Sequence, residues 1–587
     1  MVSETVLVRP EPPTQTPVPP EPIGGSGRRP RWRPTSKHIV YVVVLAVVAY
    51  LVGTPIFYLL WGTFFDESGF TLDAFRRAFG SPSALHTVWN TIVFAVGSAA
   101  IAVVLGTGLA YLQARTDVPF KGLLFAASLT PLVLPPVVYA ISWVFLYGGD
   151  VGIISSFLAG IFGSSPVDAY GLGGMIVAAG LHTVPLVFLF MVPAFKAMDP
   201  SLEEAARVAG ANWWTVMRRV TLQVIRPALA SSTVIVLVLG LESFEIPVIL
   251  GETKGVEVFT SRIYFLMHGS PTDIGAAGAV SIGIMLLAML LMYGTGAGGS
   301  SKKEFQTMTG KNFRPSPVRL GRAKGWVGAG VGLYFLFAVI LPVLALLYVS
   351  LSPFYRTPSW ESLAAMDFTN YIELAEVRNI FPATMNTIVI ALVAATITMV
   401  ITTLAAWFVV RSTMWGRKLL DVLTLAPLVI PGLVLGLGMM SVYLRSPIPI
   451  YGTLVILVVA YVTRYLPYGM RYSASAMTQI GNELEEAAHV NGAKWWTTFR
   501  RILLPLAAPG ILSGWIFVVL VSFRELSATV LLAGPKSEVL SVILFRQYNE
   551  GTFGVVAALS IVMIAILCAI IGISYSVGSR FGTKVEL

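Results

Sequence analysis

The sequence predicts an all-α membrane protein whose transmembrane helices, about twelve in number, form two homologous halves of six. Three observations lead to this prediction: an apolar composition, a series of stretches long enough to cross a bilayer, and an internal repeat. Of the 587 residues, 56% are hydrophobic and 12% are charged, and the mean hydropathy is +0.77. Because soluble domains carry about 25% charged residues, we expect lipid to cover much of this chain.

Twelve stretches have the length and composition of a membrane-spanning helix. Such a helix needs about 20 mostly apolar residues to cross roughly 30 Å of hydrocarbon. Helices are favoured over a barrel because the stretches lack the short polar–apolar alternation of barrel strands. The predicted spans cover residues 39–61, 88–113, 121–147, 172–195, 228–250, 274–296, 326–352, 384–410, 418–443, 450–470, 508–532 and 553–577.

The basic residues indicate how these spans are oriented. Lys and Arg are concentrated in every second connection, and acidic residues are more frequent in the others. Cytoplasmic connections carry the excess of basic residues, so we expect a multi-pass protein with both termini in the cytoplasm. The net charge of +10 follows this pattern and forms no basic stripe, which argues against a nucleic-acid partner.

The chain divides into four predicted regions. Residues 1–38 are rich in Pro, Glu and Thr and then in Arg, and we expect them to form a disordered cytoplasmic tail. The first half covers 39–296 and the second half covers 326–587. A basic cytoplasmic linker, 297–325, joins them.

An internal repeat relates the two halves. Asn90-Thr91-Ile-Val recurs as Asn386-Thr387-Ile-Val, an offset of 296 residues, and a longer motif that begins at Glu203 recurs at Glu485, an offset of 282. The difference of 14 residues predicts an insertion in the first half, within 149–170 on the outer side. Two halves of six spans share one orientation, so we expect a pseudo-twofold axis along the membrane normal.

The longer motif predicts a short helix–turn–helix on the cytoplasmic surface. Glutamates stand at the start of its helix, where the helix dipole favours them, and alanines follow. Gly210 and Gly492 are then expected to end the helix, and paired tryptophans and arginines come next. A single copy could be an amphipathic connection at headgroup depth. Two copies at the same topological place favour a specific binding role.

This motif, Glu-Ala-Ala, three residues and Gly, resembles that of the permeases of binding-protein-dependent ABC importers. The resemblance covers roughly 85–296 and 381–577, although Thr221-Leu-Gln-Val in the first half departs from the usual ending. It implies a type I importer fold in the cytoplasmic (inner) membrane, and coupling helices that dock on two copies of a separate ABC ATPase. The implied coupling residues are Glu203, Glu204, Ala205, Ala206, Gly210, Glu485, Glu486, Ala487, Ala488 and Gly492.

Two further segments narrow the resemblance. Leu241-Glu242-Ser-Phe-Glu245-Ile-Pro and Phe523-Arg524-Glu525-Leu-Ser are similar to the corresponding segments of fused ferric-iron permeases. The implied solute is ferric iron, delivered by an extracytoplasmic binding protein. Relatives that carry polyamines, aminophosphonates or thiamine share much of this sequence, so these solutes stay open as alternatives.

Four charged residues inside predicted spans are candidates for the translocation pathway or a gate. Charges within a span are costly and normally face a cavity or a partner. Glu242 and Glu245 are three residues apart in the fifth predicted span and are expected on one helical face, and Arg524 and Glu525 occupy the corresponding part of the eleventh. A structural ion-pair network between the halves is an equally open interpretation.

The sequence lacks the motifs of a catalytic site. It contains no Gly-x4-Gly-Lys-Ser/Thr phosphate loop, so we expect no enzyme activity and no cofactor in this chain, with ATP and Mg²⁺ bound by the partner ATPase. The histidines show no metal-ligand spacing, and we expect no metal site. An ion-coupled secondary transporter is the less favoured alternative, because it gives no reason for two matched cytoplasmic helices. Prolines 131, 135, 136, 427 and 431 are expected to kink their spans.

Overall fold

The structure is a computed structural model that describes residues 36–67, 69–294 and 318–580. Nearly all of the predicted tail and most of the predicted linker lie outside the described residues. The predicted division into regions therefore stays a prediction. The all-α membrane fold is confirmed, since helices dominate the described chain and two-residue strands, Phe65–Asp66 and Gly69–Phe70, form its one antiparallel pair.

Within the described ranges, eight helices are long and apolar enough to cross a membrane, or up to eleven when each bent pair counts as one span. The eight are Ser36–Phe64, Pro82–Arg115, Leu172–Ala197, Ile274–Leu291, Gly321–Leu351, Ile380–Arg411, Trp495–Phe523 and Phe553–Ser574. The bent pairs are Lys121–Val133 with Pro136–Tyr147, Trp213–Val224 with Arg226–Glu242, and Arg417–Val429 with Gly432–Tyr443.

The tenth predicted span corresponds to Leu454–Thr478, a helix of 25 residues. It is not among the candidates above because it is more polar, with Arg464 and Arg471 in its sequence. Counting it brings the helices to the expected twelve.

Prolines bend two spans, as expected. Lys121–Val133 and Pro136–Tyr147 meet at 100°, and Arg417–Val429 and Gly432–Tyr443 meet at 109°. The first break contains Pro135 and the second contains Pro431. The ring of each proline prevents the preceding helix from continuing.

Shorter helices lie between the spans or form parts of them. They are Asp73–Phe79, Ile153–Phe162, Ser201–Val208, Trp213–Val216, Leu222–Val224, Glu245–Gly251, Phe259–His268, Trp360–Ala364, Thr369–Glu376, Asn482–Val490, Trp495–Thr498, Thr529–Leu532 and Leu540–Asn549. Three π-helical turns, Met217–Thr221, Leu336–Ile340 and Phe499–Leu503, interrupt longer helices.

The first helix of each half packs against the other half. In Ser36–Phe64, Tyr41 donates a hydrogen bond to the Trp415 carbonyl at 2.8 Å and packs edge-on against Phe408. In return, Tyr355, just after the first helix of the second half, donates to the Phe145 carbonyl at 3.1 Å. Each first helix thus contacts the other half as well as its own, and one core cluster contains residues of both halves.

The Asn-Thr repeat has the same structural role in both halves. The Thr91 hydroxyl accepts from the Phe259 amide at 2.9 Å, and the Thr387 hydroxyl accepts from the Leu540 amide at 2.9 Å. In each half this bond satisfies an amide at the start of a short helix, which would otherwise lack a partner. The motif fixes the second span of each half to that helix.

The predicted insertion lies where the sequence offset places it. The connection between the third and fourth spans runs through Gly149–Val151 and Ile153–Phe162 in the first half. In the second half only residues 444–453 separate Tyr443 from Leu454. The extra segment is at the end of Leu172–Ala197 opposite to Ser201–Val208.

Candidate functional site

The two copies of the long motif have the same backbone structure. We name residues 201–216 and 482–498 the first and second coupling segments. In the first, the Gly210 amide donates to the Arg207 carbonyl and the Ala211 amide to the Ala206 carbonyl. The second coupling segment forms the same two bonds around Gly492, 282 residues later. This is the Schellman arrangement, and both glycines adopt the left-handed backbone that it requires, with φ of +82° and +76°.

Both coupling segments present the same exposed surface. Val208 and Val490 are 90% and 88% exposed. The neighbouring exposed positions also match: Leu202, Glu204 and Ala205 in the first segment, and Leu484, Glu486 and Ala487 in the second. Each helix therefore carries a small apolar surface beside a carboxylate.

Glu203 lies beneath this surface and not on it. Its side chain is 3% exposed, and its Oε2 accepts from Arg115 Nη2 at 2.8 Å. Its other oxygen accepts from the Thr221 hydroxyl at 2.7 Å. Arg115 ends the second span and is itself 5% exposed. Glu203 thus ties the first coupling helix to the second span and to the π-helical turn that leads into the fifth.

The second coupling segment contains the equivalent pair in a looser form. Arg411 and Glu485 are the repeat equivalents of Arg115 and Glu203, at offsets of 296 and 282. Their closest nitrogen–oxygen distance is 3.9 Å, and the Glu485 side chain is 15% exposed. Arg411 instead donates to the Met477 and Ile480 carbonyls and to the Asn482 side chain. We call Glu203 and Glu485 the anchors of the two coupling segments. They occupy equivalent positions, but the ion pair of Glu203 is shorter and more buried than that of Glu485.

The expectation that Glu242 and Glu245 share one helical face is wrong. The helix Arg226–Glu242 ends at Glu242, and a new helix, Glu245–Gly251, begins at Glu245. The repeat shows the same interruption, since Leu504–Phe523 ends just before Arg524. Pro247 has no amide hydrogen to donate to the Ser243 carbonyl, so the helix is interrupted there, and the surrounding protein tolerates the interruption inside a span.

At this interruption the two halves meet through buried polar contacts. Glu242 Oε2 accepts from Arg464 Nη2 at 2.7 Å, so a first-half carboxylate pairs with a second-half guanidinium. Ser527 donates to Glu245 Oε1 at 2.9 Å. Ser527 is the repeat equivalent of Glu245, at the offset of 282. Equivalent residues touch only near the axis that relates them, so this contact marks the pseudo-twofold axis.

The other two candidates lie at the same level of the molecule. Glu525 accepts from the Tyr465 hydroxyl at 2.7 Å and from the Ala528 amide at 3.0 Å. Arg524 donates across the interface to the Leu132 carbonyl, at the bend of the third span. We name these four residues, together with Arg464 and Ser527, the central polar cluster.

Sequence reasoning missed Arg464, Arg115 and Arg411. Arg464 could have been found as a charge within the tenth predicted span, the same signal that selected the four candidates. Its repeat equivalent is His182, which contacts the Leu134 carbonyl at 3.1 Å, just as Arg464 contacts the equivalent Ile430 carbonyl at 2.6 Å. For Arg115 and Arg411 the sequence pattern indicates only that their connections are basic and therefore cytoplasmic.

The chain consists of two fused six-helix halves that meet at a polar cluster near their common axis, and each half carries a matched surface helix. This arrangement defines a membrane transport protein with an internal two-fold repeat. The sequence model of the binding-protein-dependent transport system inner membrane component matches twice, at residues 102–295 and 398–578. The chain therefore belongs to this family. It is the multi-pass inner-membrane permease of an ABC importer, a transport subunit.

Curated relatives resemble the chain at similar levels of identity. A ferric transport system permease protein of Actinobacillus pleuropneumoniae is 27% identical over 90% of this chain and 76% of its own length. A probable ABC transporter permease of Sinorhizobium fredii is 27% identical over 80% of this chain and 84% of its own. A sulfate transport system permease of Escherichia coli is 28% identical, over 38% of this chain and 85% of its own.

Proposed function

We propose that this permease imports ferric iron, with both termini in the cytoplasm. An extracytoplasmic binding protein delivers the iron to the face opposite the coupling segments. Two copies of an ABC ATPase, which bind ATP and Mg²⁺, dock on the two coupling segments. The observation that carries the proposal is the pair of coupling segments, which share the same glycine turn and the same exposed Leu, Glu, Ala and Val positions.

The exposed surfaces of these segments suit an ATPase pair. Two identical subunits need two equivalent surfaces, and Val208 and Val490 stand at the centre of such surfaces with almost no burial. Glu204 and Glu486 supply the charged neighbour. The anchors at Glu203 and Glu485 would pass a movement of each docked helix to the second span of its half. A docked helix can transmit its movement only if its buried side is attached to that span.

Two observations support ferric iron as the solute. Relatives named as ferric transport permeases align with 90% and 85% of the chain, whereas the sulfate permease aligns with 38% of it. The central polar cluster contains three carboxylates and two guanidiniums, so acids predominate along the axis. Carboxylate oxygens suit a hard cation and would repel sulfate.

The contacts of the central polar cluster hold the translocation pathway closed. Ion pairs and hydrogen bonds join the halves there, through Glu242–Arg464 and Ser527–Glu245. Rocking of the halves about the axis would separate these partners and expose them to the pathway. Separating a buried ion pair costs several kcal/mol, an amount that ATP-driven closure of the ATPase can supply.

Reconstitution tests the proposal directly. The permease, its ATPase and its binding protein are placed in proteoliposomes with radiolabelled iron, and uptake is followed with and without ATP. We expect ATP-dependent iron uptake that sulfate, aminophosphonate, polyamine and thiamine do not inhibit. Inhibition by one of these would name a different solute. Uptake by the permease alone would contradict the ATP-driven mechanism.

A further inference from the structure

A polar cleft of about 460 Å³ lies at the face opposite the coupling segments, between the two halves. The first half contributes Tyr170, Glu252 and Tyr264 to its lining, and the second half contributes Tyr548 and Asn549. Its residues do not belong to the central polar cluster, although the helix Glu245–Gly251 leads from that cluster to Glu252. The cleft therefore needs its own explanation.

The insertion peculiar to the first half builds one wall of this cleft. Tyr170 stands at the end of the insertion, and the Gly171 amide donates to the Leu250 carbonyl at 2.8 Å. Asp168 also pairs with Lys254, at 2.6 Å between Oδ2 and Nζ. These contacts hold Tyr170 beside Glu252. Because the second half lacks the insertion, the cleft has no symmetric equivalent of this wall.

The lining presents several side-chain oxygen atoms to the cleft. They belong to the hydroxyls of Tyr170, Thr253, Tyr264 and Tyr548 and to the carboxyl group of Glu252. Among the described residues that line the cleft, Glu252 is the one acidic side chain, and there is no Lys or Arg. The neighbouring Lys254 is engaged by Asp168. The lining is thus rich in oxygen atoms and contains no cationic side chain.

We propose that this cleft is an entry site for the transported cation, with the Glu252 carboxylate and the phenolate oxygens of Tyr170, Tyr264 and Tyr548 as its ligands. This inference rests on the proposed function, since it assumes that the solute is ferric iron. Hard cations prefer oxygen ligands, and phenolate is an established ligand of iron in proteins. Each phenol that binds releases its proton to water. An anion such as sulfate would meet a carboxylate and no cationic partner there.

Spectroscopy of the full chain in lipid nanodiscs tests the site. Iron(III) nitrilotriacetate is titrated in, and the visible phenolate-to-iron charge-transfer absorption is recorded. We expect this absorption in the wild type and a loss of affinity of about tenfold or more in Glu252→Gln, as seen when a metal site loses a supporting group. Matched controls are Glu373→Gln and Tyr371→Phe, on a helix of the second half that does not line the cleft. They should bind as the wild type does.

A second readout separates this inference from the proposed function. In the reconstituted complex, Glu252→Gln and Tyr264→Phe should raise the KM for iron-loaded binding protein, whereas Glu373→Gln and Tyr371→Phe should leave this KM and ATP hydrolysis without iron unchanged. Iron uptake with an unaltered KM in both cleft variants, or an unaltered iron affinity of the absorption in Glu252→Gln, overturns the entry site and leaves iron import standing. A complex that hydrolyses ATP but moves no iron overturns both.

Discussion

Replacing Arg115 by methionine removes the cation that binds Glu203 while keeping a long side chain in its place. The two side chains are 5% and 3% exposed, and 2.8 Å separates Nη2 from Oε2. After the substitution, Thr221 would be the remaining side-chain partner of that carboxylate among those described. Removing one member of a buried ion pair costs about 3–5 kcal/mol. That is a large share of a typical folding free energy of about 5–15 kcal/mol.

The double variant Arg115→Met/Glu203→Met should recover most of this loss. Replacing both members of a buried pair by apolar side chains of similar volume is often neutral, because no uncompensated charge remains. A double-mutant cycle therefore measures how strongly the pair is coupled. Denaturant unfolding in mixed micelles supplies the four free energies, and ATPase stimulation in the reconstituted complex reports whether the coupling helix still transmits movement.

The second half provides an internal control. Glu485 is 15% exposed and 3.9 Å from Arg411, and Arg411 keeps its other acceptors when the carboxylate is lost. Glu485→Gln should therefore cost less than Glu203→Gln. The reasoning is refuted if Arg115→Met unfolds within about 1 kcal/mol of the wild type, or if the double variant is no more stable than Arg115→Met. Equal costs at Glu203 and Glu485 would also contradict it.

Three further predictions follow from the same structure. Gly492→Ala should destabilise the second coupling segment by about 1–2 kcal/mol and weaken ATPase stimulation, because its φ of +76° is strained for alanine. Arg464→Met should destabilise the closed state by about 3–5 kcal/mol, and adding Glu242→Met should restore stability in unfolding assays. The amide of Leu320 and the charge of Lys324 lower the pKa of Asp117 below its ordinary value of 3.8. The contact of Asp117 with Leu320 and Lys324 is therefore at full strength above pH 3.8 and weakens as the pH falls through the lowered pKa, which a spin label in residues 318–324 would report. In Asp117→Asn, which has no titrating group at this position, the mobility of the label should not change over this pH range.

The features that could be predicted from the sequence are those encoded by local patterns. Apolar length predicts the spans because each helix must satisfy its own hydrogen bonds in lipid. The Gly492 turn was predictable because a left-handed residue at a helix end favours glycine. The insertion within 149–170 followed from two offsets alone. In each case the determining residues are near one another in the chain.

The features that could not be predicted depend on the other half. Nothing in the order of residues shows that Glu242 meets Arg464, since 222 positions separate them. The break between Glu242 and Glu245 has a local cause, since Pro247 cannot donate to the Ser243 carbonyl, but the equivalent break at Arg524 has no nearby proline. Glu203 belongs to an acidic run whose members look alike in sequence. Only packing against Arg115 distinguishes it from the exposed Glu204.

The packing of the first helix against the second half has a consequence for how the protein is made. Ser36–Phe64 enters the membrane early, yet its partner Gly432–Tyr443 is synthesised several hundred residues later. At ribosomal speeds of about 5–20 residues per second, this helix waits roughly 20–75 s for that surface. During that interval lipid, or an insertion chaperone, must cover a helix flank that the finished protein conceals. Assembly of the leading half is thus completed by the trailing half.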